Sequence, residues 1–423
     1  MRELSNYGRP GGWPAGPGAL GMSAARLASE LRLARELRSA AQAGQPPAGP
    51  AAEPADLTDL AELAEATGPA DGTEPAPDGE WAGQCSSDAA DLGIGGSPGY
   101  AEREWGDGSY PPLYSPETVR VNEALGAQVN EALVSWAERT GIYADRLDAF
   151  RSTGFGRLAM LVHPDTDDPD RLLLAAQLNA AWWACDDYYA DESELGAVPV
   201  ELPPRLALVM SAMDPPPSAG AYTRELEDAV RADPVLVALR SATGHLRLHA
   251  TPAQVMRVCA TTFQMYVSWT AYAAWRYRGE LPPAWRYLAA RQHDSFYTSM
   301  TLIDIVDGYE LPAHLFSEPA VHRALMQAGT AAVIVNDLHS VEREAAGEQS
   351  DNLVLLIAAE ENCTLREAIE KCVRLHNDFV KGFETAQRKL AAVPAVDLQR
   401  FLRGAQSWMA GGFEWHRTSS RYQ

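Results

Sequence analysis

Asn336, Ser340 and Glu344 stand four residues apart in the stretch NDLHSVERE. On an α-helix that spacing lines all three side chains along one face. Each offers an oxygen: an amide carbonyl, a hydroxyl and a carboxylate. Hard oxygen donors of low total charge suit Mg2+, which completes its shell with waters and phosphate oxygens. A second acidic set lies 150 positions upstream, counted from Asp186 to Asn336, in WWACDDYYADESE. Asp187 and Asp191 are four apart and share a face, with Asp186 and Glu192 flanking them. Carboxylates this close repel one another, and burial raises their pKa values. A divalent cation resolves that conflict. Trp182 and Trp183 come just before, so the acids stand at the lip of an apolar helix. Either set alone also fits a solvated helix face. Two oxygen sets on two helices together describe a clamp for several Mg2+ ions with a polyanion between them.

Composition narrows the partners. The chain has 423 residues, a formal charge of −22 and 46% hydrophobic residues. So acidic a chain is not built for nucleic acid, whose phosphates need clustered Lys and Arg, nor for an anionic membrane surface. No run of eighteen apolar residues occurs, so no membrane span is expected. The N-terminus has no apolar signal core. Cys85, Cys185, Cys259, Cys363 and Cys372 are scattered and odd in number, which reads as reduced thiols in a cytoplasmic protein. His163, His293, His339 and His376 form no ligand cluster with one another, and no HExxH or nucleophile elbow occurs. Hydrolytic and zinc chemistry therefore find no support in the sequence.

The elements that must position the two oxygen sets fall in the second part of the chain. Residues 1–113 are rich in Pro, Ala, Gly and acids, and read as a disordered N-terminal segment. Within it Ser23 to Ala43 has a helical period, and GIGGSPG reads as linker because no strand precedes it. Residues 114–423 read as an α-helical domain. Periodicity and Pro punctuation predict helices near 116–140, 144–153, 168–191, 201–213, 219–232, 234–249, 252–278, 282–309, 318–347, 353–361, 364–392 and 395–420. No period-two strand pattern or hairpin signal is found. The expected fold is all-α, with enough helices to surround a central cavity.

The motifs D186-D187-x-x-x-D191 and N336-D337-x-x-S340-x-x-x-E344 resemble, in order and separation, the two metal motifs of bacterial class I terpene synthases. The resemblance covers roughly residues 111–423. It implies a helical bundle around a cavity, Mg2+ as cofactor (three ions), a prenyl diphosphate substrate and a possible homodimer. It makes Asp186, Asp187, Asp191, Asn336, Ser340 and Glu344 the metal set. Arg291, 45 residues before Asn336, corresponds to the arginine that senses diphosphate, with Asp294 and Ser295 as the linker and effector positions after it. Arg343 stands where a lysine is frequent, and Arg421-Tyr422 is similar to a terminal pair that contacts diphosphate. Three positions depart from the pattern. Asp191 and Glu192 both fit the distal acidic place, Ser295 replaces a frequent glycine, and in many relatives only the first aspartate meets the metal.

The long N-terminal segment, SYPPLYSPETVR (Ser109 to Arg120) and SMTLIDIVDGYELP (Ser299 to Pro312) resemble the branch of the family that cyclises 2-methylgeranyl diphosphate. The implied chemistry is ionisation to an allylic cation, two ring closures and capture by water. Such a cation needs a dry cavity with π faces. Trp182, Trp183, Phe263, Trp269, Phe296, Tyr297 and Trp408 are the expected lining, each also fitting ordinary core packing. Three other readings stay open: an alkene-forming enzyme on the same cation, a cyclase for another mono- or sesquiterpene precursor, and a helical scaffold with an acidic arm.

Overall fold

The computed structural model describes residues 99–191, 198–346 and 352–419. Residues 1–98, Glu192, Arg421 and Tyr422, for which the sequence carries expectations, lie outside the described residues. The described chain folds into sixteen α-helices and one short strand pair. The strands are β1 (Tyr100–Arg103) and β2 (Leu113–Pro116). The first helices are α1 (Glu123–Thr140), α2 (Leu147–Thr153), α3 (Phe155–Val162) and α4 (Pro169–Cys185). A π-helical turn, Asp186–Asp191, continues α4. After a 3-10 turn come α5 (Leu202–Met213), α6 (Ala221–Ala232), α7 (Pro234–His249), α8 (Pro252–Arg278) and α9 (Ala284–Arg291). Three single turns follow, α10 (Tyr297–Met300), α11 (Ile303–Val306) and α12 (Ala313–Phe316). The chain continues through α13 (Pro319–Ala346), α14 (Leu353–Glu360), α15 (Leu365–Leu390) and α16 (Val396–Thr418).

Local chemistry sets the helix starts. Asp168 and Asp233 cap α4 and α7 ahead of Pro169 and Pro234, and Thr251 with Gln254 forms a capping box on α8. Proline in the first turn gives up a donor that had no intrahelical partner. Thr364 with Glu367 repeats the box on α15. The apolar faces merge in one core: α13 packs on α15 and α16, α1 on α3 and α4, and α4 on α7. None of the described helices is long and apolar enough to cross a membrane.

The all-α expectation holds, and four local expectations change. The strands, which the sequence pattern did not show, pair antiparallel from Tyr100↔Pro116 to Arg103↔Leu113, across the expected boundary at residue 113. Four residues are too few to show alternation, and β2 is held by tertiary contacts instead. Leu113 is fully buried, and the Tyr114 amide donates to Asn377 Oδ1 at 2.8 Å. The expected helix over 116–140 starts at Glu123, where the Asn122 side chain caps it. The expected helix over 282–309 breaks at 292–296 into α9, α10 and α11. Ser295 Oγ donates to the Gln292 carbonyl at 2.8 Å and accepts from the Tyr297 amide at 3.2 Å, so side chain replaces helix ladder there. Finally, α3 was not anticipated. It opens at Gly154, in the left-handed region at φ +75°, which ends α2 and reverses the chain.

The contact of α3 with α1 depends on one missing side chain. Gly156 donates its amide to Asn130 Oδ1 at 3.1 Å. A Cβ at Gly156 would lie 2.3 Å from the Asn130 amide nitrogen, a backbone atom that cannot swing aside. Gly156→Ala is therefore expected to destabilise the fold by about 1–3 kcal/mol, the range for overpacking. Urea unfolding followed by circular dichroism measures it, and an unchanged midpoint would contradict the packing described.

Candidate active site

Three long helices and one helix break enclose a cavity of about 950 Å3, its open mouth included. Helix α4 and its π turn supply Trp182, Trp183 and Asp186; α8 supplies Met265, Trp269, Tyr272 and Arg276. These four α8 residues recur at helical spacing, so one face of α8 forms one wall. Tyr287 and Arg291 come from α9, and Asp294, Ser295 and Phe296 from the break. Ser299 comes from α10, and Val333, Asn336, Asp337, Arg343 and Glu344 from α13. Along α4, α8 and α13 alike the lining passes from apolar to polar in the direction of the chain. Trp182 leads to Asp186, Met265 to Arg276, and Val333 to Glu344.

Buried charges organise the polar part. Arg291 donates to Asp294 Oδ2 at 2.7 Å, to Asp337 Oδ1 at 2.7 Å and to Asn336 Oδ1 at 3.2 Å. Burial pulls its pKa down, but Asp337, Tyr287 and Asp294 outweigh that and hold it well above the ordinary arginine value. Its buried Nε–H has no acceptor among the described residues. Trp269 Nε1 donates to the other oxygen of Asp294 at 2.8 Å, and Tyr287 donates to Asp337 Oδ2 at 3.2 Å. Burial pushes the Asp337 carboxyl up, and Arg291 draws it back.

Of the six oxygen donors expected from sequence, three line one cavity. Asp186, Asn336 and Glu344 face the cavity, as do the cations Arg291 and Arg343. Ser340 is buried between Asn336 and Glu344, and its Oγ donates to the Asn336 carbonyl at 2.9 Å. Burial, and then the charge of Asp337, pushes the Glu344 carboxyl above its usual range. A divalent cation among these oxygens reverses that penalty. The donor set is all oxygen and fits Mg2+.

A family model described as terpene synthase family 2, C-terminal metal binding, matches residues 177–382. The 2-methylisoborneol synthase of Streptomyces coelicolor is 36% identical over 313 residues, 73% of this chain and 70% of that protein. The chain belongs to the terpene synthase family. The 2-methylisoborneol synthase of Streptomyces lasalocidi is also 36% identical, and there the match spans 64% of the relative's length, just under two thirds. The crystal structure of 2-methylisoborneol synthase from S. coelicolor A3(2) in complex with Mg2+ and 2-fluoroneryl diphosphate superposes with a TM-score of 0.70. It is 35% identical, and the match covers 74% of this chain and 97% of that one.

Four expected site residues of this terpene synthase have other surroundings, and a fifth has no described side chain. Asp187 is buried and accepts from Tyr143 Oη at 2.7 Å, so it ties the π turn to the loop after α1 rather than facing the cavity. Asp191 ends the π turn, and its side chain is outside the described set. Phe263 is 57% exposed on the outer face of α8. Tyr297 packs on Phe316 and His322, away from the lining. Trp408 is fully buried behind Phe296, ring centroids 4.8 Å apart. Trp182, Trp183, Trp269 and Phe296 do line the cavity.

Sequence reasoning left out Asp337, Tyr272, Tyr287 and Arg276 as site residues, and above all Asn352. Asn352 Nδ2 donates to Glu344 Oε2 at 2.8 Å, to the Asp337 carbonyl at 2.8 Å and to Ser340 Oγ at 3.4 Å. Its Oδ1 caps α14 by accepting from the Val354 amide. It therefore orients the carboxylate and hydroxyl of the α13 oxygen set. Asn352→Ser keeps a capping hydroxyl but loses that reach. The expected outcome is a rise of about tenfold or more in the Mg2+ concentration that half-saturates turnover. A Mg2+ titration of product formation checks it, and an unchanged requirement would show that Asn352 only caps.

Proposed function

We propose that this terpene synthase is a Mg2+-dependent cyclase that converts 2-methylgeranyl diphosphate to 2-methylisoborneol. The observation that carries the reading is a single cavity graded from Trp182, Trp183, Trp269 and Phe296 to Asp186, Asn336, Glu344, Arg291 and Arg343. Relatives at 35–36% identity that bear the name of that enzyme support the choice of substrate.

Asp186 on one side, and Asn336, Ser340 and Glu344 on the other, would hold the metal, which we take to be three Mg2+ ions. Bound Mg2+ supplies positive charge that stabilises diphosphate as it leaves. The chain's own part begins with Arg291 and Arg343, whose N–H groups donate charge-assisted bonds to diphosphate oxygens. Arg421 and Tyr422, beyond the described residues, complete that set in the same reading. The allylic C–O bond breaks, and its electron pair leaves with diphosphate. The cation isomerises through a linalyl-type form and closes two rings to a bornyl-type cation. Trp182, Trp183, Trp269 and Phe296 present π faces to it and exclude water while the rings close. One water then adds its oxygen to the tertiary carbon and gives up a proton.

Product analysis tests this. Purified protein with Mg2+ is given 2-methylgeranyl, geranyl and farnesyl diphosphate separately, with headspace mass spectrometry of each. A C11 tertiary alcohol from the methylated substrate is expected, lost in Asn336→Leu. A C11 alkene would replace water capture by proton loss. Turnover of farnesyl diphosphate alone would discard the substrate.

A further inference from the structure

Far from the cavity, Asp170 on the first turn of α4 meets His245 and His249 on the last turns of α7. His245 Nε2 is 3.3 Å, and His249 Nε2 3.0 Å, from the same oxygen, Asp170 Oδ2. One potential ligand atom from each residue lies within 4.8 Å of the others. Both histidine side chains are largely covered, at 14% and 18% exposure, while the Asp170 side chain is 59% exposed. We propose that Asp170, His245 and His249 form a site for a first-row divalent transition cation, zinc foremost, that clips the start of α4 to the end of α7.

Three observations carry it. The first is spacing: His245 and His249 are one turn apart in HLRLH, so both imidazoles leave the same face of α7. The second is distance. Bonds of about 2.0 Å to a tetrahedral zinc place neighbouring ligand atoms about 3.3 Å apart, close to the 3.3 and 3.0 Å separations of the two histidines from Asp170 Oδ2. The third is the tautomer. Gln177 Oε1 lies 2.7 Å from His245 Nδ1, a contact that suits the tautomer with the proton on Nδ1. In that tautomer Nε2 turns a lone pair toward the carboxylate of Asp170, the orientation a bound cation needs. A ligating histidine whose other nitrogen is held by an acceptor is the usual form of a zinc site. Two imidazoles and one carboxylate leave a fourth place for water and suit zinc rather than Mg2+. The expectation of no zinc chemistry weighed other histidines and did not include this pair.

This site is separate from the proposed catalytic one. Asp170 and Asp186 are sixteen residues apart along one helix, which is about 24 Å at 1.5 Å per residue. The cation's role is positional. It fixes the near end of the helix whose far end carries Trp182, Trp183 and Asp186.

The test uses the full chain, stripped with chelator and returned to a buffer at pH 8 with excess Mg2+ to occupy oxygen sites. Co2+ is then titrated and the visible spectrum recorded. One equivalent should give the intense bands of tetrahedral cobalt, bleached by one equivalent of Zn2+. The bands should be lost in His245→Gln, His249→Gln and the exposed-site variant Asp170→Asn, each with wild-type far-UV dichroism. Zn2+ should raise the thermal midpoint of the wild type and not of the variants. Absence of the bands at pH 8, or the same bands in all three variants, would overturn the site and leave a proton-bridged His–Asp–His cluster.

Discussion

A buried guanidinium sets the terms for the rest of the site. Arg291 lies between Asp294, Asp337 and Asn336, and each neighbour is fixed by a partner from another element. Trp269 on α8 holds Asp294; Tyr287 on α9 and the Leu353 amide on α14 hold Asp337. Burying an ion pair gains little over apolar packing, yet removing one member of it costs about 3–5 kcal/mol. The network therefore locks α8, α9, α13 and α14 into one arrangement. Asn336 is fixed by the same lock, and Glu344 follows two turns further along α13.

Around that lock the cavity combines two solvents in one space. Trp183 stacks with Phe296 and meets Trp415 edge-on, and Phe296 rests on Trp408. This aromatic block gives the apolar half a rigid wall. The polar half begins where the hydrogen-bond pattern of α4 widens into the π turn at Asp186. π turns gather at functional positions. Here the turn lets Asp186 face the cavity while Asp187 is drawn to Tyr143.

Much of this was legible in the sequence, and the exceptions have a common cause. Helices α4, α7, α8 and α15 announce themselves through capping residues or a first-turn proline. Asn336 and Glu344 were legible because their spacing matches the helical period of α13, whereas of the upstream acids it is Asp186 that lines the cavity, and Asp187, read as half of an i, i+4 pair, is turned to Tyr143. What failed was the choice of face. Phe263 and Trp269 lie on the same helix, yet one faces solvent and the other the cavity. Only the partners of α8 decide that. The break at 292–296 depends on a serine bonding to backbone, and Gly329 of α13 comes so close that a Cβ there would lie 2.8 Å from the Tyr297 amide. Asn352 carries no motif, and His245 meets an aspartate 75 positions away. Such pairings exist only in the folded chain.

In the function proposed above, the α4 and α13 oxygen sets, with Arg291, close on diphosphate and Mg2+ together. Thermal unfolding of the purified chain measures this directly with Mg2+ alone, inorganic diphosphate alone, and both. A clear rise of the midpoint is expected only with both, abolished in Glu344→Gln. An equal midpoint in all three conditions, from folded protein, would contradict it.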